Sequence, residues 1–339
     1  MVSFLLCVAQ EGARCRGQLR KLRERRQAMP RPRPLIIDTD PGIDDALAIA
    51  MALASNEVRV VGLTSVAGNS PLDVTNANAV ALLAAFDRSD VPVAAGAAHP
   101  LVGTYKRVKD SPHGDNGLGG IELEDPGLQR RSVHAMDLIA GILRDAEPRS
   151  VDIAALGPLT NIAMFLAKHP DLADRIARIT VMGGGTGPGN ITDHAEFNIW
   201  HDPEAAALVF ADTGGAEIVV VGLDVTRRAT LDVDDLECLR RKSPRGALLA
   251  RMINAYGDLH EGGWPMHDAL ALASIVHPPV ISTRPASIEV VTAAGERRGQ
   301  TLVQFTDEAR SPSSARQIQF ATGVDVPLFR DLVHTKVTC

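Results

Sequence analysis

A short apolar run, Leu35-Ile36-Ile37, breaks into four carboxylates within eight residues: Asp38, Asp40, Asp44 and Asp45. No Lys or Arg lies between them, so the like charges must raise one another's pKa or meet a counter-charge. Pro41-Gly42 is a turn signal. The segment therefore reads as a buried strand over 35–37, a tight turn, and a helix opening near Asp44, with acid gathered at the junction. Asp44 and Asp45 could serve only as helix caps, but that leaves Asp38 and Asp40 without a task. With no Cys or His in the cluster, an all-oxygen shell suits a hard ion, Ca²⁺ or Mg²⁺, better than Zn²⁺.

Strand and helix patterns alternate over most of the remaining chain. Strands are expected at 57–66, 91–95, 151–155, 176–182 and 218–223, and helices at 72–86, 133–146, 159–168 and 203–211, with Thr160 a candidate cap. Helices at 232–241 and 246–259 precede His267-Asp268, which opens an Ala/Leu-rich helix to Val276. The tail reads as strands at 287–292, 301–306 and 315–321 and a closing helix at 326–333. This pattern predicts one large α/β domain: a mostly parallel, open, Rossmann-like sheet with helices on both faces and a mixed or antiparallel C-terminal edge. In such sheets ligands bind outside the carboxyl ends of the strands. Asp38 and Asp40, Asn69, Leu156, the segment 190–198 and Asp224 all come directly after predicted strands, so the chemistry is expected at that edge.

Composition sets the outer bounds. The 339 residues are 45% hydrophobic and 22% charged, enough to bury a large core. Residues 1–34 hold nine basic side chains and two Glu, a balance of +7, which leaves −13 on the remainder. A body that acidic is a poor general binder of nucleic acid. Cys7, Cys15, Cys238 and Cys339 form no CxxC pair, which argues against a zinc site or a disulfide framework and for a cytoplasmic location. No apolar run approaches the ~20 residues of a membrane span. Residues 1–33 are expected to be a disordered Arg-rich extension, with Met29 a candidate start, and residues 34–339 the folded domain.

Two further sets of side chains carry chemistry. Asn190, Glu196 and Asn198 place amides and a carboxylate where they could recognise several hydroxyls, with Ala195 and Phe197 turned toward the core. A loop hydrogen-bonded to itself explains that segment equally well. His267, beside Asp268 at a helix start, could donate a proton while the acid ligates a metal. His113, in the glycine-rich loop 96–120, is a lid or substrate contact.

The nonapeptide from Asp38 to Ala46, Asp-Thr-Asp-Pro-Gly-Ile-Asp-Asp-Ala, resembles the signature of the inosine/uridine-preferring nucleoside hydrolases. The rest agrees in order: Ala67-Gly68-Asn69, His113-Gly114-Asp115, Leu156-Gly157-Pro158-Leu159-Thr160-Asn161, Val181-Met182-Gly183-Gly184, Ala195-Glu196-Phe197-Asn198, Asp202-Pro203-Glu204-Ala205, Leu223-Asp224-Val225-Thr226 and His267-Asp268. The resemblance covers residues 34 to about 335. It implies Ca²⁺-dependent hydrolysis of the N-glycosidic bond of purine or pyrimidine ribonucleosides by a homo-oligomer, a dimer or tetramer, with no nucleic-acid or membrane partner.

By matching position, Asp40, Asp45, the Leu156 carbonyl and Asp268 resemble the calcium ligands, and Asp40 is also the general base toward water. Asp44, Asn69, Asn190, Glu196 and Asn198 resemble ribose contacts, and Met182 lies beside the sugar. His267 matches the group that helps the base depart, and Asp38 orients the ligands from behind. Asp193 and Arg227 stand where the family usually carries Pro and His. The base side is the least defined, with Tyr256, His260 and Trp264 as candidates. Two rivals remain open on the sequence: a haloacid-dehalogenase-type Mg²⁺ phosphatase, which also opens on Asp-x-Asp, and a non-catalytic calcium-dependent nucleoside- or sugar-binding protein.

Overall fold

The apolar runs become strands buried on both faces, and the sheet they build decides where the acidic turn ends up. The computed structural model describes residues 31–109, 111–124, 127, 133–256, 262–306 and 318–337. The Arg-rich tract, Met29 and His260 lie outside the described residues. Among those described, β1 (Arg33–Thr39), β2 (Val58–Ser65) and β3 (Val93–Ala95) form one half of a sheet, and β4 (Val151–Ala155), β5 (Ile176–Met182) and β6 (Glu217–Val221) form the other. The spatial order is β3-β2-β1-β4-β5-β6, with every neighbouring pair parallel. This is the doubly wound order, and its switch point lies between β1 and β4.

Successive residues of β1 serve opposite layers. Leu35 and Ile37 join the core under the helices Ile43–Ala54 and His267–Val276, while Ile36 joins the core under Ala135–Arg144 and Thr160–Lys168. Sheets covered on both faces need such continuous apolar strands. Past β6 the sheet changes character. After the short ribbon of β7 (Thr230–Leu231) and β8 (Trp264–Pro265), β9 (Ile281–Val290) runs antiparallel to both β10 (Thr301–Phe305) and β11 (Ile318–Val324), and β11 is parallel to β6. The expected mixed edge is present.

Local differences from the sequence reading have physical causes. β1 starts two residues early because Arg33 is held by Asp152 (2.9 Å) and by the Ile275 carbonyl (2.9 Å). β6 stops at Val221, since Gly222 precedes a helical turn, Leu223–Thr226, in place of the last strand residue. Thr160 does not cap its helix: its hydroxyl donates to Asp202 (2.7 Å). β9 begins at Ile281, well before the expected 287, despite Pro285 within it.

Candidate active site

The acidic turn sits at the switch point. β1 delivers Asp38 and Asp40, and the Ile43–Ala54 helix begins at once with Asp44 and Asp45 in its first turn. Asp45 caps the helix start, accepting from Gly42 N (2.8 Å), and Thr39 Oγ1 donates to it as well. The capping role is thus correct for Asp45. It does not extend to Asp40, whose Oδ2 accepts from Asn69 N (2.6 Å) in the loop that follows β2. A Cβ on Gly157, just after β4, would lie 2.6 Å from Asp40 Oδ1. One carboxylate therefore spans the ends of three adjacent strands, and the glycine leaves it room.

Asp268 arrives from the start of the His267–Val276 helix, which packs beside Ile43–Ala54. Its oxygen and those of Asp44 and Asp45 lie within 4.8 Å of one another, all three residues buried. At that range, with an effective dielectric near 20, each pair of unit charges repels by roughly 3–4 kcal/mol. Burial raises the carboxyl of Asp44 to about 6 and, together with the neighbouring acids, pushes Asp40 and Asp268 well above the usual carboxylate range. Such a set stays ionised only beside a cation, and its all-oxygen donors fit a hard divalent ion. The tight trio contains Asp44 where the sequence points to Asp40. Asp40 faces the same space from the Gly157 side.

The Leu156 carbonyl, at the end of β4, accepts from Asn198 Nδ2 (2.7 Å), which keeps a second lone pair available. Asn198 Nδ2 also lies 3.1 Å from the Met182 carbonyl at the end of β5. Glu196 caps the short helix Phe197–His201, accepting from the backbone N–H groups of Gly184 (3.0 Å), Asn198 (2.9 Å) and Ile199 (3.1 Å). Burial nevertheless holds its carboxyl up at about 6. Asn190 Oδ1 accepts from Phe197 N (2.9 Å), so its NH₂ points elsewhere. This segment does bond to itself, and it also faces the cavity.

That cavity, of about 150 Å³, is lined by Asp40, Asp44, Asn69, Leu156 and Asp268 together with Met182, Asn190, Glu196 and Asn198. His267, His113 and Tyr256 line it as well. His113 Nδ1 accepts from Ile43 N (3.1 Å), and its ring meets Tyr256 edge-on at 5.0 Å. Burial lowers the His113 pKa to about 4, so the ring is neutral and carries its hydrogen on Nε2. Asp45 is fully buried and does not line the cavity. Asp38 is deeper, fully buried, with Oδ1 bonded to Thr64 (2.6 Å) and Asn161 (2.8 Å) and its carboxyl raised to about 7 by burial.

Two expectations fail. Trp264 is a core residue of the β7–β8 ribbon and does not line the cavity. Phe197 faces the cavity instead of the core, because it begins a helix and strand alternation does not apply. Sequence reasoning also misses Val108, Ser111 and Pro112, which wall the cavity from the long loop, and Thr226, whose Oγ1 lies 2.8 Å from His267 Nδ1. The composition of a loop says that it is mobile or functional and not which residue it turns inward. An Asp-x-Asp phosphatase would give Glu196, Asn198 and His267 no task, yet they share one cavity with Asp40.

A family model described as inosine-uridine preferring nucleoside hydrolase matches residues 35–331. The chain is 39% identical over 279 residues to the pyrimidine-specific ribonucleoside hydrolase RihA of Escherichia coli O127:H6, spanning 80% of this chain and 88% of that protein. Among solved structures it is similar to the plant nucleoside hydrolase PpNRh1, with a TM-score of 0.84, 32% identity, and coverage of 91% of this chain and 99% of that one. It is also similar to a purine-preferring ribonucleoside hydrolase from Gardnerella vaginalis, with a TM-score of 0.82, 33% identity, and coverage of 90% and 98%.

Proposed function

The chain belongs to the inosine-uridine preferring nucleoside hydrolase family, and from that premise we propose that it cleaves the N-glycosidic bond of purine or pyrimidine ribonucleosides in a Ca²⁺-dependent reaction. The observation that carries the calcium and the chemistry is the convergence of Asp40, Asp44 and Asp268 on one cavity that Asn190, Glu196 and Asn198 also line. Asp40, Asp45, Asp268 and the Leu156 carbonyl would hold the ion, which would supply Lewis acidity toward water and hydroxyl ligands. The close trio of Asp44, Asp45 and Asp268 supports a shell in which Asp44 stands next to the ion and grips ribose.

The remaining roles come from charge and position. Departure of the base builds positive charge on the sugar, which the surrounding carboxylates stabilise where it develops. Asp40 takes the proton of the attacking water. Asn69, Asn190, Glu196 and Asn198 bind ribose hydroxyls, with Met182 against the sugar, so ribose binding energy positions the reacting carbon. His267 protonates the leaving base. His113 and Tyr256, an edge-on aromatic pair lining the cavity, form the base side. Asp38 acts from behind, fixing the end of β1 through Thr64 and Asn161.

We assign residues 34–339 as the catalytic domain, and the division of the chain between Pro32 and Arg33 supports that boundary. A cytoplasmic homo-oligomer, dimer or tetramer, is proposed on family membership. Among the described residues no helix is long and apolar enough to cross a membrane. The function is tested by incubating the protein with uridine, cytidine, inosine, adenosine and guanosine and measuring free base and reducing sugar. Equal amounts of both from at least one nucleoside support it, and binding without release contradicts it.

A further inference from the structure

We propose that Thr226 is a positioning residue for the reaction: its hydroxyl fixes the ring of His267 so that Nε2, and not Nδ1, addresses the leaving base. The inference rests on the assignment of His267 to the leaving group. Thr226 Oγ1 and His267 Nδ1 lie 2.8 Å apart, although 41 residues separate them in sequence. Thr226 is fully buried and absent from the cavity lining, whereas His267 lines it. Nδ1 thus points away from the cavity, which turns the opposite ring nitrogen toward it. A helical Thr commonly returns its hydroxyl to a carbonyl one turn earlier. Here the hydroxyl meets the imidazole, where it can accept from Nδ1–H.

Thr226 can hold a ring still only if it is itself held, and its short helical turn is fastened at three points to one neighbouring loop. Leu223 N donates to the Gly184 carbonyl (2.9 Å), Asp224 accepts from Thr186 N (3.0 Å), and Arg227 Nη2 donates to the Gly189 carbonyl (2.6 Å). Those three points lie along the glycine-rich loop that ends in Asn190. The backbone before His267 is pinned separately, by Met266 N donating to the Ala229 carbonyl (2.9 Å) and by the pairing of Thr230 with Pro265. The turn is therefore a strut between the ribose wall and the leaving-group side chain. It also gives Arg227 a structural task in this chain.

In the reaction the electron pair of the N-glycosidic bond passes to the base, which takes the proton from His267 Nε2. Water adds to the sugar carbon and yields its proton to Asp40. The Nδ1–H bond to Thr226 is the same before and after the transfer, so the ring need not turn during it. Orientation of this kind contributes without adding any contact to substrate.

The test compares Thr226→Val, Thr226→Ser and His267→Ala on a natural nucleoside and on p-nitrophenyl β-D-ribofuranoside, whose phenolate leaves without a proton. For Thr226→Val, kcat on the nucleoside should fall by about tenfold or more with KM within threefold, and p-nitrophenyl riboside should be cleaved within threefold of wild type. Thr226→Ser should restore nucleoside turnover to within threefold. Equal losses on both substrates, or a Thr226→Val enzyme as fast as wild type on the nucleoside, would overturn the proposal. His267→Ala separates the two levels of inference. If it is selectively slow on the nucleoside while Thr226→Val is not, only the role of Thr226 falls; if His267→Ala shows no selectivity, the assignment of His267 falls as well.

Discussion

Asn161 Nδ2 donates to Asp38 Oδ1 at 2.8 Å, joining two residues 123 positions apart behind the acidic turn. The same amide donates to the Ser65 carbonyl (3.0 Å) and accepts from Ala97 N (2.8 Å), so one side chain ties the ends of β1 and β2 to the loop after β3. Asn161→Ala would leave several buried polar groups unpaired, at about 1–3 kcal/mol each. Urea unfolding should show a loss of about 3 kcal/mol, and a loss under about 1 kcal/mol would mean that the amide does not brace the site.

Gly157 leaves space for Asp40. In Gly157→Ala the new Cβ would lie 2.6 Å from Asp40 Oδ1 and 3.0 Å from Val66 Cγ1. The carboxylate must move, since the backbone around it is fixed by the sheet. Turnover should fall by about a hundredfold, a size consistent with misplacing a catalytic group, while the thermal midpoint changes little. An unchanged rate would remove the geometric requirement on Asp40.

Asp40→Asn keeps the size and the Asn69 contact and removes the proposed base. Activity should drop roughly a hundredfold or more, read as initial rates of base release at saturating nucleoside. A variant within a few-fold of wild type would refute the role.

Stability without divalent cation should fall as pH rises from about 6.5 to 8. Asp38 is raised to about 7 by burial, and Asp40 and Asp268 are held well above the usual range. A carboxyl whose folded pKa is raised binds more protons folded than unfolded, so its stabilisation is present at low pH and is lost as pH climbs through the folded value. His113 and His201, both lowered to about 4, act in the opposite sense, but only below their unfolded value near 6.5. Thermal midpoints in chelator should therefore decline across this window, and calcium should flatten the decline by keeping the cavity carboxylates ionised. A chelated protein that gains stability from about pH 6.5 to 8 would contradict the burial of unpaired acid.

The parallel half of the fold is legible because β1, β4, β5 and β6 are apolar runs closed by turn residues, and the acid at their ends needs no tertiary information to be noticed. β9 reads short in the sequence because its polar first half and Pro285 look unlike a strand with neighbours on both sides. The structure accommodates Pro285 opposite Gln319, and its carbonyl still accepts from Thr306 N (3.0 Å). Asp38, Asp40, Asp44 and Asp45 can be named from their crowding, but their grouping cannot. Asp44 and Asp45 meet Asp268 only because the His267–Val276 helix packs beside Ile43–Ala54. Thr226 and His267 likewise meet through packing, and no local spacing announces such a pair.

Hydrolysis is expected to depend on a calcium ion held by the acidic turn and Asp268. Its most direct measurement is base and reducing-sugar release from a turned-over nucleoside after chelation, followed by a calcium titration, in wild type and Asp268→Asn. Chelation should abolish release in wild type, and calcium should restore it along a saturable curve, with the variant needing about tenfold more ion or beyond. Turnover that persists undiminished in chelator, or an Asp268→Asn variant with the wild-type calcium curve, would contradict it.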